Sequence, residues 1–138
     1  MNNIIIEKTD NTPGVELNNE KRRIEFTGDS RPENAKLFFE PIFNWILEFE
    51  NQLYFLSGQA EGLLKTEVNF KLEYFNSSSA KYVIELIKSV NKIEVGSNSK
   101  VKVDINWFYD EDDEDLRDAG KEFVRMTGIN MNFIPSAS

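Results

Sequence analysis

Three segments of this chain alternate between apolar and largely polar residues, and segments with helical spacing lie between them. Val68, Phe70, Leu72 and Tyr74 alternate with Glu67, Asn69, Lys71 and Glu73. Val101, Val103, Ile105, Trp107 and Tyr109 alternate with Lys102, Asp104, Asn106 and Phe108, and Ile129, Met131 and Phe133 with Asn130 and Asn132. A period of two sends successive side chains to opposite faces of a strand, so each segment offers one apolar face. Strands covered on both faces read instead as continuous apolar runs. The sheet is therefore predicted to bury one face and leave the other wet. Between the strands, Val83, Leu86, Ile87 and Val90 form one helical stripe, and Leu116, Ala119, Phe123 and Val124 another. Strand, helix, strand, helix, strand implies right-handed crossovers and parallel pairing.

The N-terminal half adds a hairpin and a long helix. Residues 1–11 are a polar arm around Ile4-Ile5-Ile6, frayed or a short edge strand. Val15 and Leu17, then Ile24 and Phe26, read as short strands joined at Asn18-Asn19, because Asn tolerates positive φ. Gly28 to Asn34 reads as a loop, with Ser30 or Asn34 capping the helix that follows. Phe38, Ile42, Trp45, Ile46, Phe49 and Leu53 share one helical face, with Pro41 expected near the helix's first position. Ser57 to Lys65 is expected to be a surface loop, and Pro135–Ser138 a frayed tail. The expected architecture is one α+β domain of α/β character over residues 12–134, after an arm at 1–11 and before a tail at 135–138. Its mixed sheet should hold about four or five strands, with helices mainly on one face.

Composition then removes whole classes of function. The chain has no cysteine, which excludes disulfides, thiolate metal sites and cysteine nucleophiles. It has no histidine, so the commonest general base and the Ser-His-Asp triad are absent. A net charge of −8 argues against nucleic acid and against an anionic membrane surface. The first residues hold only a three-residue apolar run, short of a signal core or a span, so a cytoplasmic location is expected. No metal and no cofactor are expected, and an enzyme is hard to build from this inventory.

Three polar stretches remain as candidates. Asn76-Ser77-Ser78-Ser79-Ala80-Lys81 joins a predicted strand to a predicted helix. One cap accounts for one of these side chains, and three consecutive serines exceed that need. A phosphate added here would meet the positive end of a helix and Lys81, and would bring about −1.5 to −2 charges. Asp110-Glu111-Asp112-Asp113-Glu114-Asp115 lacks the glycine and terminal glutamate of a calcium loop. It reads as acids crowding a helix N-terminus, with Asp112 or Asp113 as cap, or as an acidic docking surface for a basic partner. The loop Gly28–Asn34 carries no phosphate-binding glycine pattern.

In this order and register, four stretches resemble the SiaC family of bacterial regulatory phosphoproteins. They are Gly28-Asp29-Ser30-Arg31-Pro32-Glu33-Asn34, Phe43-Asn44-Trp45, Leu72 to Lys81, and Trp107 to Asp115 followed by Ala119-Gly120. The resemblance implies a fold similar to STAS domains and a partner-switching role. It implies a serine/threonine kinase of the histidine-kinase-like ATPase type, a PP2C-type phosphatase and an effector, a diguanylate cyclase in the best-known branch. The acceptor there is a threonine directly after the asparagine; that position here is Ser77, with Ser78 and Ser79 as alternates. Asn76, Ser78, Ser79 and Lys81 would surround the phosphate, and Asp29, Ser30, Arg31, Pro32, Glu33, Asn34, Tyr82 and Glu85 would meet partners. The rival readings are a constitutive interaction module with no covalent switch, and an enzyme acting through the acidic run.

Overall fold

A computed structural model describes residues 1–137. The elements in chain order are β1 (Ile4–Ile6), β2 (Gly14–Asn18), β3 (Arg23–Ser30), α1 (Ala35–Ser57), β4 (Leu64–Phe75), α2 (Ser77–Val95), β5 (Val101–Asp110), α3 (Glu114–Thr127) and β6 (Asn132–Ser136). The strands form a six-stranded sheet in sequence order. β1, β2 and β3 pair antiparallel, and β3 through β6 pair parallel. Three successive right-handed crossovers that advance in one direction put all three helices on the same face. One hydrophobic cluster accordingly joins Ile24 and Phe26 of β3, Val68 and Phe70 of β4, and Ile105 and Trp107 of β5 to the buried stripes of the helices.

The alternation holds on β3 and on most of β4 and β5, but the far face is less wet than expected. Asn69 is only 5% exposed. Its Nδ2 donates to Glu25 Oε1 (3.1 Å), Asn106 Nδ2 donates to Asn69 Oδ1 (2.9 Å), and Asn132 Nδ2 donates to Asn106 Oδ1 (3.0 Å). Four strands are thus tied by a ladder of side-chain amides on the face without helices. In the sequence these positions read only as polar.

Several expectations need correction. The sheet has six strands, not four or five, because Ile4–Ile6 forms the edge strand, pairing antiparallel with Val15–Leu17. The arm is anchored: the Trp45 indole N–H donates to the Asn2 carbonyl at 2.8 Å. The tail expected to fray is strand through Ser136, with Pro135 opposite Tyr109 and Ser136 opposite Asp110; Ser138 lies outside the described residues. β6 starts at Asn132, so Ile129 and Met131 pack half-buried ahead of it. In the hairpin, positive φ falls at Arg22, and Asn18 acts through its side chain, accepting from the Lys21 amide at 2.9 Å.

Pro41 sits inside α1 and not at its start. The helix begins at Ala35 because Asn34 caps it and because Phe39, ahead of the proline, belongs to the core. Burying Phe39, Ile42, Trp45, Ile46, Phe49 and Leu53 is worth on the order of 10 kcal/mol. That exceeds the roughly 3 kcal/mol that a proline costs in a helix interior.

Candidate functional site: the carboxyl rim of the parallel sheet

All three polar stretches marked in the sequence arrive at one edge of the molecule. β3, β4 and β5 run parallel, and each is followed by a helix, so their carboxyl ends line up on one rim. In open α/β sheets this rim is where ligands and partners are met. The same capping device recurs in all three places. Asn34 accepts from the Leu37 amide (3.0 Å), Asn76 from the Ser79 amide (2.9 Å) and Asp113 from the Leu116 amide (3.0 Å).

Capping by Asn76 separates the three serines. Ser77 and Ser78 occupy the first two positions of α2, are exposed, and make no side-chain hydrogen bond among the described residues. Ser79 is different: it is fully buried, and its Oγ lies 2.7 Å from Ser30 Oγ, also fully buried. This corrects two expectations. Ser79 is inaccessible as an acceptor, and its amide is engaged by Asn76 and not open to a phosphate. The burial follows from a twofold coincidence of period. Ser30 is the last inward position of β3, and Ser79 is on the inward stripe of α2 with Val83 and Leu86.

Ser77 and Lys81 are one helical turn apart and both exposed, so they are surface neighbours. Ser78 is likewise one turn from Tyr82, whose ring stacks on Phe39 at 5.0 Å. Glu85 is exposed and pairs with Lys88 at 3.7 Å.

The loop after β3 is locked against the rim: the Asn76 amide donates to the Ser30 carbonyl (3.0 Å) and the Arg31 amide to the Asn11 carbonyl (2.8 Å). Ser30 and Pro32 are buried and cannot contact a partner as expected. Arg31, Glu33 and Asn34 are exposed, although Asn34 spends its side chain on the cap. Arg31 lies 5.7 Å above the Tyr74 ring and 3.7 Å from Asp29.

Tyr74 was expected inward, yet it is 49% exposed. The register between β3 and β4 shifts from Gly28 opposite Leu72 to Asp29 opposite Tyr74. Glu73 is the extra residue, and everything after it changes face. Phe75 therefore turns inward onto Trp107 and Phe123, while Tyr74 turns out to meet Arg31. Gly28, with φ of 82°, supplies the positive φ that this irregularity uses. Ser77 thus follows a central strand of the sheet at its carboxyl end.

The acidic run does not gather into a metal site: no group of three or more candidate ligands is placed to hold a metal ion among the described residues. Asp113 caps α3 and Asp110 accepts from the Asp112 amide at 2.9 Å. No helix is long and apolar enough to cross a membrane among the described residues.

Fold and rim together describe a small mixed α/β protein that presents the exposed hydroxyls of Ser77 and Ser78 at the carboxyl rim of its parallel strands. The chain belongs to the SiaC family of regulatory phosphoproteins, whose family model matches residues 6–136. It is therefore a regulatory protein and not itself an enzyme. It is 26% identical over 123 residues to an uncharacterized protein of Pseudomonas aeruginosa strain UCBPP-PA14, covering 89% of this chain and 88% of that one. The solved structure of SiaC of Pseudomonas aeruginosa matches with a TM-score of 0.75 at 25% identity, over 100% of both chains. The crystal structure of the diguanylate cyclase SiaD in complex with its activator SiaC, from the same organism, matches with a TM-score of 0.77 at 24% identity. There the match covers 98% of this chain and 99% of the matched one, and it bears on the fold.

Proposed function

We propose that this protein is a phosphorylation-switched adaptor, with Ser77 as the acceptor of a serine/threonine kinase and a PP2C-type phosphatase reversing the reaction. The observation that carries the reading is the division of labour at the turn. Asn76 takes the cap, Ser79 takes the buried bond to Ser30, and Ser77 is left exposed at the head of α2 beside Lys81. A phosphate on Ser77 gains from the first-turn amides and the helix dipole and pairs with Lys81. It also adds about −1.5 to −2 charges to a rim that an effector must desolvate, so binding weakens without a change of fold. Arg31, Glu33, Tyr82 and Glu85 flank the site and form the effector face.

The effector is a signalling protein, by analogy with the cyclase that SiaC activates. Incubation of the purified chain with its cognate kinase and ATP tests the covalent step. One phosphoryl group should appear on Ser77, and Ser77→Ala should take up none. A protein that gains no mass, yet binds its effector, would be a constitutive interaction module instead.

A further inference from the structure

Pairing of β4 with β5 ends at Phe70 opposite Trp107. From there β4 bends along β3 through the irregularity at Glu73, while β5 stays with β6 as far as Asp110 opposite Ser136. The two strands part, and a cleft of about 840 Å³ opens between Lys71–Glu73 and Phe108–Asp110. Phe108 and Tyr109 are the partly exposed apolar residues of its lining, with the buried Leu72 and Leu116 beneath, and its walls carry Glu73 and Asp110. The one cation in the lining, Lys71, is drawn aside to Glu25 (3.1 Å) and to the face of the Phe108 ring (4.9 Å).

We infer that this cleft docks an extended basic segment of a protein partner. Beyond the last paired residues, the facing edges of β4 and β5 have no ladder partner in each other, which suits main-chain pairing with an inserted strand. Lysine and arginine carry long aliphatic stems below a charged head. The stems fit against Tyr109 and the part of Phe108 that Lys71 leaves uncovered, and the heads reach the carboxylates of Glu73 and Asp110. An anion is repelled by that lining, and a net charge of −8 steers a basic segment toward it. Docking here does not depend on the phosphoserine reading, because the cleft is built by β4 and β5 and not by Ser77.

The test uses the full chain, isotopically labelled, and the blocked peptide Ser-Val-Arg-Val-Lys-Val-Ser, with a glutamate-for-basic peptide as control. Saturable amide shifts should concentrate at Glu73, Tyr74 and Phe108 to Asp113, and weaken as salt screens the charges. Glu73→Lys and Phe108→Ala should each weaken binding by about tenfold or more, while Ser77→Ala binds like the parent. Equal binding of the glutamate peptide, shifts spread over other acidic surfaces, or wild-type affinity in both cleft variants would overturn the inference. So would the same shifts produced by magnesium chloride alone, which would make the cleft a cation site.

Discussion

Replacing Ser30 and Ser79 singly and together asks how tightly the first turn of α2 is fastened to the sheet. Both hydroxyls are fully buried and 2.7 Å apart, joining the end of β3 to the first turn of α2. In either single alanine variant, the surviving hydroxyl keeps its desolvation cost and loses its partner. That loss is worth about 1–3 kcal/mol. In the double variant no orphan remains, so the pair should cost distinctly less than the sum of the two single changes. A coupling of about 1 kcal/mol is the expectation for residues in direct contact. For a domain of this size, each single variant should lower Tm by roughly 3–6 °C per kcal/mol. Urea unfolding of the four proteins, with a common m-value, measures the cycle. Strictly additive losses would refute the reasoning, since they would mean that the two hydroxyls do not share a bond in solution.

Other expectations follow from the same geometry. Pro41→Ala should raise stability by about 1–3 kcal/mol in the same urea assay, because it restores an amide donor inside α1 at an exposed position. Gly120→Ala should destabilise despite the better helix propensity. Its new Cβ would lie 2.6 Å from Trp107 Cδ1 and 2.8 Å from Phe133 Cε1, an overpacking cost of about 1–3 kcal/mol seen in thermal melts and tryptophan fluorescence. The Tyr54 phenol is pushed up to about 12 by burial and by its hydrogen bond to Glu50. The folded state therefore holds that proton more tightly than the unfolded one. Its contribution is complete below the ordinary tyrosine value near 10 and is lost as pH rises through about 12. Tyr54→Phe should flatten that alkaline decline in unfolding free energy.

The parity of the strands was legible in the sequence because one buried face imposes a period of two on every strand that helps to form it. Helical stripes were legible for the same reason. What escaped was set by contacts between residues far apart in the chain. Glu73 becomes a bulge only because β3 presents Gly28 and Asp29 to it, so Tyr74 could not be seen to turn outward from its own neighbours. Pro41 obeys local rules poorly because the core residues on both sides of it outweigh them. The amides of Asn69, Asn106 and Asn132 were visible as polar positions, but their ladder exists only in the assembled register. At the rim, the three loops were found from their residue types, whereas their meeting in one place comes from parallel topology. Exposure then distinguished Ser77 and Ser78 from Ser79, which composition alone treats alike.

The central claim is that Ser77 is the covalent switch of this adaptor. Tandem mass spectrometry after reaction with the cognate kinase and ATP tests it most directly, with Ser77→Ala and Ser78→Ala beside the parent. A single phosphoryl group on Ser77, lost in Ser77→Ala, kept in Ser78→Ala and removed by the phosphatase, is the predicted result. A phosphoryl group found on another residue, or none at all with an active kinase, would contradict it.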